Sequence, residues 1–420
     1  MTKEAIVYNW SGHKNGPTEP VRFPVRTLKI DDETLRDGLQ GSQLEKPITI
    51  NEKQIYIELA SPFVDHFDVA YPNSHESQAR QALCLIKHAI ESNLQKTFSL
   101  AGRAAVWDDI KPMVDIFEQL GSYPQLRADI FLDGSIHRSE FEGWDRKSMM
   151  DQMVQNIRTL KQQGLQVMFV AERATATPPN ELEEVFVRAA DSGADTLCIA
   201  DTQGSMDPIG MTKILRWALD NVGKRYPDIE WDAHCHNHLG MAVANSLIAA
   251  HEGFNEVHGA SLWLGEGPGN ADNSNLLLAL VARGYLNRDL TGLKRFYEDV
   301  SKLLGIEIPV SAPGVGKSAF RTSSGIHARA LEKGEQAERA ALIYWPIQPE
   351  TVGALAGAEI GPMSSPSNVR LKLKELGEPY SEKLTSALLN LAKEKGVKLT
   401  NETIMDVIIG IRTQPHRDAK

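Results

Sequence analysis

The run Asp232-Ala233-His234-Cys235-His236 closes a short apolar stretch that reads as a β-strand. Residues two apart on a strand project to one face, so His234 and His236 could hold a metal ion between them. A second segment, Asp31 to Gln40, follows another apolar stretch and sets Asp37 beside Arg36 just past its end. One carboxylate and two imidazoles, from Asp37, His234 and His236, suit a divalent ion with positions left open for substrate or water. Such a site is a Lewis acid. A 2-oxo acid could chelate the ion through its keto and carboxylate oxygens and be polarised for attack. Asn270, in Gly265-Glu266-Gly267-Pro268-Gly269-Asn270, is either a neutral extra ligand or a turn former.

Other side chains extend this chemistry. Arg36 carries a permanent charge and could stabilise a developing oxyanion, or form a salt bridge at the rim of the site. Glu172 follows Val167-Met168-Phe169-Val170-Ala171, where burial would raise its pKa and suit it to proton transfer; an ordinary ion pair is the other reading. Thr202 offers a hydroxyl for a substrate carboxylate, although Asp201 or Thr202 could equally cap the next helix. Arg103 and His137, each after a predicted strand, are candidates for binding substrate. Cys235 points away from the two histidines and reads as core.

These residues need a scaffold that brings strand ends together. The apolar pattern predicts eight strands, near Thr27–Ile30, Asp65–Ala70, Thr97–Leu100, Ala128–Leu132, Gln166–Val170, Thr196–Ala200, Glu230–Ala233 and Glu256–Ala260. Amphipathic stretches such as 74–91, 146–163, 180–192 and 211–222 separate them, each long enough for a crossover helix. Eight βα units predict an α/β fold of the (β/α)8 type, a TIM barrel, and an open doubly wound sheet is the alternative. Asp37, Arg103, Glu172, Asp201 and His234 all follow strand ends, which converge at one mouth only in the barrel. The expected organisation is an N-terminal extension over 1–26, the barrel over 27–285, a linker and first accessory subdomain over 286–365, and a helical accessory subdomain over 366–420. The last few residues are expected to fray.

With 420 residues, 42% hydrophobic and 24% charged, the chain describes a folded protein with ample core material. Its net charge of -10 disfavours nucleic-acid binding, which needs a basic face. Three unpaired cysteines and the lack of a long apolar stretch or signal peptide predict a cytoplasmic protein without a membrane span.

Glu33-Thr34-Leu35-Arg36-Asp37-Gly38, His234-Cys235-His236-Asn237 and the 265–270 loop resemble the signatures of the metal-dependent acyltransferase and lyase barrels. That family includes 2-isopropylmalate, homocitrate and citramalate synthases and 3-hydroxy-3-methylglutaryl-CoA lyase. Ser324-Gly325-Ile326-His327 and Tyr344-Trp345-Pro346-Ile347 resemble the segment after the barrel in 2-isopropylmalate synthases. The resemblance implies a Claisen-type condensation of acetyl-CoA with a 2-oxo acid, with 2-oxoisovalerate the first choice. Asp37, His234, His236 and Asn270 would bind a divalent ion, Mg, Mn or Zn. Arg36 would stabilise the enolate or alkoxide, Thr202 would hold the substrate carboxylate, and Glu172 with His327 would move the methyl proton, with Tyr344 nearby. It also implies a homodimer whose active sites share that later segment.

The chain departs from the family at several points. Leu39 and the resulting Gly-Leu-Gln look more like the lyases, whereas the absence of a cysteine from residues 265–270 and the chain that follows the barrel argue for a synthase. His238 replaces the usual Asp, Gly267-Pro268 the usual Arg and its neighbour, and Arg173 an Asp. The chain also ends without the regulatory domain of many 2-isopropylmalate synthases, so little leucine inhibition is expected.

Overall fold

The computed structural model describes residues 27–42, 44, 46–336 and 344–413. The expected N-terminal extension, 1–26, and the final residues expected to fray, 414–420, lie outside them. The described residues divide into two compact units, one of residues 27–288 and 296–307, the other of residues 289–295 and 308–413.

In the first unit eight parallel strands close on themselves in chain order, β1 pairing with both β2 and β8. They are β1 (Lys29–Asp32), β2 (His66–Ala70), β3 (Thr97–Arg103), β4 (Leu126–Leu132), β5 (Gln166–Ala171), β6 (Thr196–Asp201), β7 (Glu230–Cys235) and β8 (Glu256–Gly259). Helices separate them: α1 (Ile50–Ala60), α2 (Glu76–Glu91), α3 (Trp107–Gln119), a short α4 (Ile136–Glu142), α5 (Arg146–Gln163), α6 (Pro179–Asp191), α7 (Pro208–Ala218) and α8 (Ala242–Glu252). This is the expected TIM barrel. All eight predicted strands are present, because fully buried parallel strands read as short apolar runs between amphipathic helices.

Alternation along the strands separates two cores. On β4, Ala128, Ile130 and Leu132 are buried apolar residues, while Arg127 and Asp129 occupy the opposite face and are buried too. The barrel interior is therefore charged. Arg127 donates to Asp31, Asp129, Asp232 and Glu256, from four different strands, at 2.6–3.2 Å. Burying this cluster is tolerable only because the Arg127 guanidinium pairs with its carboxyl groups.

The segment after β1 forms one π-type turn over Thr34–Gly38, closed by Gly38 N–H to Glu33 O at 3.0 Å. Tyr56 on α1 secures it from below. Its hydroxyl lies 2.6 Å from Asp32 Oδ2, 2.8 Å from Thr34 Oγ1 and 2.9 Å from Ser261 Oγ. Burial pushes the Asp32 carboxyl up to about 6, against the hydrogen bonds from Tyr56 and Thr34 that favour its ionised form. Tyr56→Phe is expected to cost about 1–3 kcal/mol by leaving that carboxylate short of a donor. A raised carboxyl pKa means stability falls as pH rises through 6, so the loss should be larger at pH 8 than at pH 5. Urea denaturation midpoints at the two pH values check this.

In the second unit β9 (Arg321–Thr322) pairs in parallel with β10 (Gly357–Ala358). After α9 (Asn273–Arg283) and α10 (Leu293–Leu304) the chain forms α11 (Gly325–Gln336), α12 (Pro366–Glu375), α13 (Glu382–Lys395) and α14 (Asn401–Thr413). The last three fall in the stretch expected to be helical, 366–420. They share an apolar core of Val369, Leu373, Leu384, Leu388, Ile404 and Ile408.

Candidate active site

Residues of one parity on successive strands meet at the C-terminal mouth of the barrel. Asp129 and Phe131, Met168, Val170 and Glu172, Ala200 and Thr202, and His234 and His236 line one cavity of about 210 Å³. The turn after β1 adds Glu33, Arg36 and Asp37, and His258 enters from β8. The sites expected from sequence at 36, 37, 172, 202, 234 and 236 are thus brought together.

Ligand atoms of Asp37, His234 and His236 lie within 4.8 Å of one another, and all three side chains are buried. Each imidazole is oriented through its Nδ1. That of His234 lies 2.8 Å from Glu33 Oε2, and that of His236 lies 2.9 Å from the Thr202 carbonyl. This arrangement leaves each Nε2 free to ligate a cation, the outer hydrogen bond fixing the tautomer. Asn270 is placed by a bridge between its backbone and that of His236. Its Nδ2 donates to Glu33 at 2.9 Å and Asp37 at 2.8 Å, while its buried Oδ1 has no hydrogen-bond partner. An orphaned amide oxygen beside a carboxylate and two oriented imidazoles fits a hard or borderline divalent cation. Two other carboxylate–imidazole groups, Glu33–His234–His258 and Asp31–His66–Asp129, are geometrically compact. In the first, Glu33 is committed to the two histidines, and in the second Asp31 and Asp129 are committed to Arg127.

Arg36 is held by three carboxylates. Nε donates to Asp68 at 2.6 Å, Nη1 to Asp37 at 2.8 Å and Nη2 to Glu33 at 3.3 Å. Burial pushes the Asp37 carboxyl up, yet the Arg36 guanidinium first and the nearby His236 imidazole second hold it well below the usual range. A carboxylate so stabilised stays ionised and available to a cation. Glu172 behaves differently: burial first and the Asp133 carboxylate second raise its pKa. A raised carboxyl pKa is what proton transfer near neutral pH would call for.

The remaining candidates stand elsewhere. Arg103 binds Asp109 through Nε at 2.8 Å and Nη2 at 3.0 Å, and Tyr71 and Asn73 bind the same carboxylate. His137 is exposed on α4. Neither Arg103 nor His137 is among the residues lining the cavity. Asp201 caps no helix. Its carboxylate accepts from Thr175 Oγ1 and the N–H groups of Ser205 and Met206, and Asp207 caps α7 instead. His327 and Tyr344 belong to the second unit, where their rings lie 4.2 Å apart and both are exposed. Glu33, which orients His234, His258 and Asn270, had no role assigned from sequence. Its place at the head of the Glu33-Thr34-Leu35-Arg36-Asp37-Gly38 motif was the signal available.

A comparison with protein families matches residues 27–300 to the HMGL-like family. The chain belongs to the HMGL-like family. A 2-isopropylmalate synthase of Methanocaldococcus jannaschii is 31% identical over 409 residues, covering 93% of this chain and 73% of the relative. An Archaeoglobus fulgidus protein named as an (R)-citramalate synthase is 32% identical over 92% of this chain and 76% of its own. The crystal structure of the Bacillus subtilis HMG-CoA lyase superposes with a TM-score of 0.56 at 18% identity, over 68% of this chain and 97% of that one, which shows the shared fold. Gly267 and His238 meet in space. A Cβ on Gly267 would stand 2.9 Å from His238 Nε2, so the imidazole occupies room that a side chain at 267 would need.

Proposed function

We propose that the chain is a metal-dependent acyltransferase that condenses the acetyl group of acetyl-CoA with a 2-oxo acid, 2-oxoisovalerate in the first place, as a 2-isopropylmalate synthase does. The observation that carries this reading is the cavity itself, where Asp37, His234 and His236 face Arg36, Glu172 and Thr202. Similarity to synthases over more than nine-tenths of the chain supports it. Asp37, His234 and His236, with Asn270, would hold the divalent ion. When bound, the ion supplies Lewis acidity toward the keto group.

The protein's own groups account for the rest. Glu172 takes a proton from the acetyl methyl group, and the carbon so released bonds to the keto carbon. Arg36 faces the oxygen that takes the carbonyl electron pair and then the proton removed by Glu172, so the base ends as it began. Thr202 donates to the carboxylate. Ala101, Phe131, Met168, Val170 and Ala200 offer an apolar wall for an aliphatic tail. Glu266, which lines the same cavity, would repel a second carboxylate, which favours a monocarboxylic acid over 2-oxoglutarate. Water then hydrolyses the thioester, releasing CoA. His327 and Tyr344 complete the site from the partner of a homodimer, and the enzyme works in the cytoplasm. Among the described residues no helix is long and apolar enough to cross a membrane.

Thiol release from acetyl-CoA tests the reading directly. The metal-loaded protein should release CoA with 2-oxoisovalerate faster than with pyruvate, glyoxylate or 2-oxoglutarate. Preference for pyruvate would make it a citramalate synthase, and cleavage of 3-hydroxy-3-methylglutaryl-CoA without condensation would make it a lyase. The pH profile tests Glu172. Because its carboxyl is raised by burial and Asp133, the acid limb of kcat/KM should lie above the ordinary glutamate pKa of about 4.3. Asp133→Asn removes a like charge and releases Arg173 from its partner. Both effects favour the ionised form, so the limb should move to lower pH.

A further inference from the structure

Arg173 follows the proposed base directly yet is not among the residues lining the cavity. Its backbone is left-handed, with φ 54° and ψ 32°, a conformation disfavoured for any residue with a Cβ. Its carbonyl accepts from the Ala176 N–H at 2.9 Å and Thr177 Oγ1 at 3.1 Å, and two donated contacts tie it to the neighbouring strand ends. The guanidinium donates from Nη1 to Asp133 Oδ2 at 2.8 Å, and Asp133, buried after β4, also accepts the N–H and hydroxyl of Ser135 at 3.0 and 2.6 Å. The Arg173 N–H donates to Thr202 Oγ1 at 2.9 Å. Thr202 in turn holds His236 through its carbonyl, and the Glu172 N–H bonds the Leu132 carbonyl at 3.1 Å. Four consecutive strand ends, β4 to β7, are therefore tied in sequence through Asp133, Arg173, Thr202 and His236.

We propose that Arg173 is a positioning residue that aims Glu172 and the Thr202 hydroxyl into the cavity together. A hydroxyl that accepts a backbone N–H has its own hydrogen left to donate, so this contact makes Thr202 a donor toward a carboxylate oxygen. The left-handed turn bends the chain immediately after Glu172, and the Asp133 pair locks that bend against the neighbouring loop. A glycine would adopt the same backbone without strain but would lose the lock. The fold here asks for a left-handed residue, and the choice of arginine over glycine is explained by the Asp133 contact.

The identity of the reaction rests on the acyltransferase reading, whereas the loop geometry does not. The test compares wild type, Arg173→Gly and Arg173→Lys as metal-loaded full chains. Arg173→Gly should fold normally, judged by circular dichroism. It should lose at least tenfold in kcat and raise KM for the 2-oxo acid more than for acetyl-CoA, since small misplacements of a base and a substrate-binding group act on these terms. Arg173→Lys, which keeps a cation in reach of Asp133, should recover most of the loss. A second readout is independent of turnover. The visible spectrum of the Co(II)-loaded protein should change in Arg173→Gly through the Thr202 carbonyl on His236. If wild type turns over the 2-oxo acid and Arg173→Gly matches it in kcat and both KM values, the proposal is overturned. If wild type turns over none, the acyltransferase reading falls, and an unchanged cobalt spectrum in Arg173→Gly then overturns this proposal as well.

Discussion

His234→Ala is expected to leave the protein with no tightly bound divalent metal and a turnover at least 1,000-fold below wild type. The substitution removes one of three protein donors whose atoms lie within 4.8 Å of one another. Removing one of a site's few protein donors weakens it strongly. The change also strips Glu33 of a partner at 2.8 Å, leaving a buried carboxylate with His258, Arg36 and Asn270 only. Asp37 meanwhile keeps Arg36 and its low pKa, so the site stays anionic without the geometry a cation needs. Metal content after gel filtration, measured beside CoA release, checks both parts. Full metal content with normal turnover would remove Asp37, His234 and His236 from the metal site.

Mixing two inactive variants, Glu172→Ala and His327→Ala, should restore activity. Glu172 lines the barrel cavity, whereas His327 lies in the second unit with its ring against Tyr344. If the segment carrying His327 serves the partner's barrel in a two-fold dimer, each mixed dimer has one site with both residues and one with neither. Random exchange of equal amounts makes about half of the dimers mixed, each with one working site, so the mixture should recover about a quarter of wild-type activity. Subunit exchange is verified separately by mass or by differential labelling. Exchange without recovered activity would place His327 in its own subunit's site or outside catalysis.

Periodicity was sufficient for the barrel, and strand parity for the pair His234 and His236, because both depend on local pattern alone. Two of the misplaced strand edges share one cause. β1 was expected to end at Ile30 and β4 to begin at Ala128, yet β1 runs on through Asp31 and Asp32, and β4 begins before Arg127. Locally, such charges read as turn or boundary. Only closure of the barrel brings Arg127 to Asp31, Asp129, Asp232 and Glu256 and makes their burial tolerable.

The same distinction holds within the site. Asp37, Glu172 and Thr202 sit where strand order puts every mouth residue, so their positions after apolar runs were informative. Position after a strand does not say where a long side chain goes, and Arg103 turned to Asp109, a residue on α3 six positions later. Glu33 and Arg173 gained their roles from contacts with residues 201 and 29 positions away. Residue type and spacing determined which chemistry this chain could perform. The closed sheet decided which carboxylates stand beside the two histidines, which are neutralised by arginine, and which loops are tied together, because those choices depend on distances between segments remote in sequence.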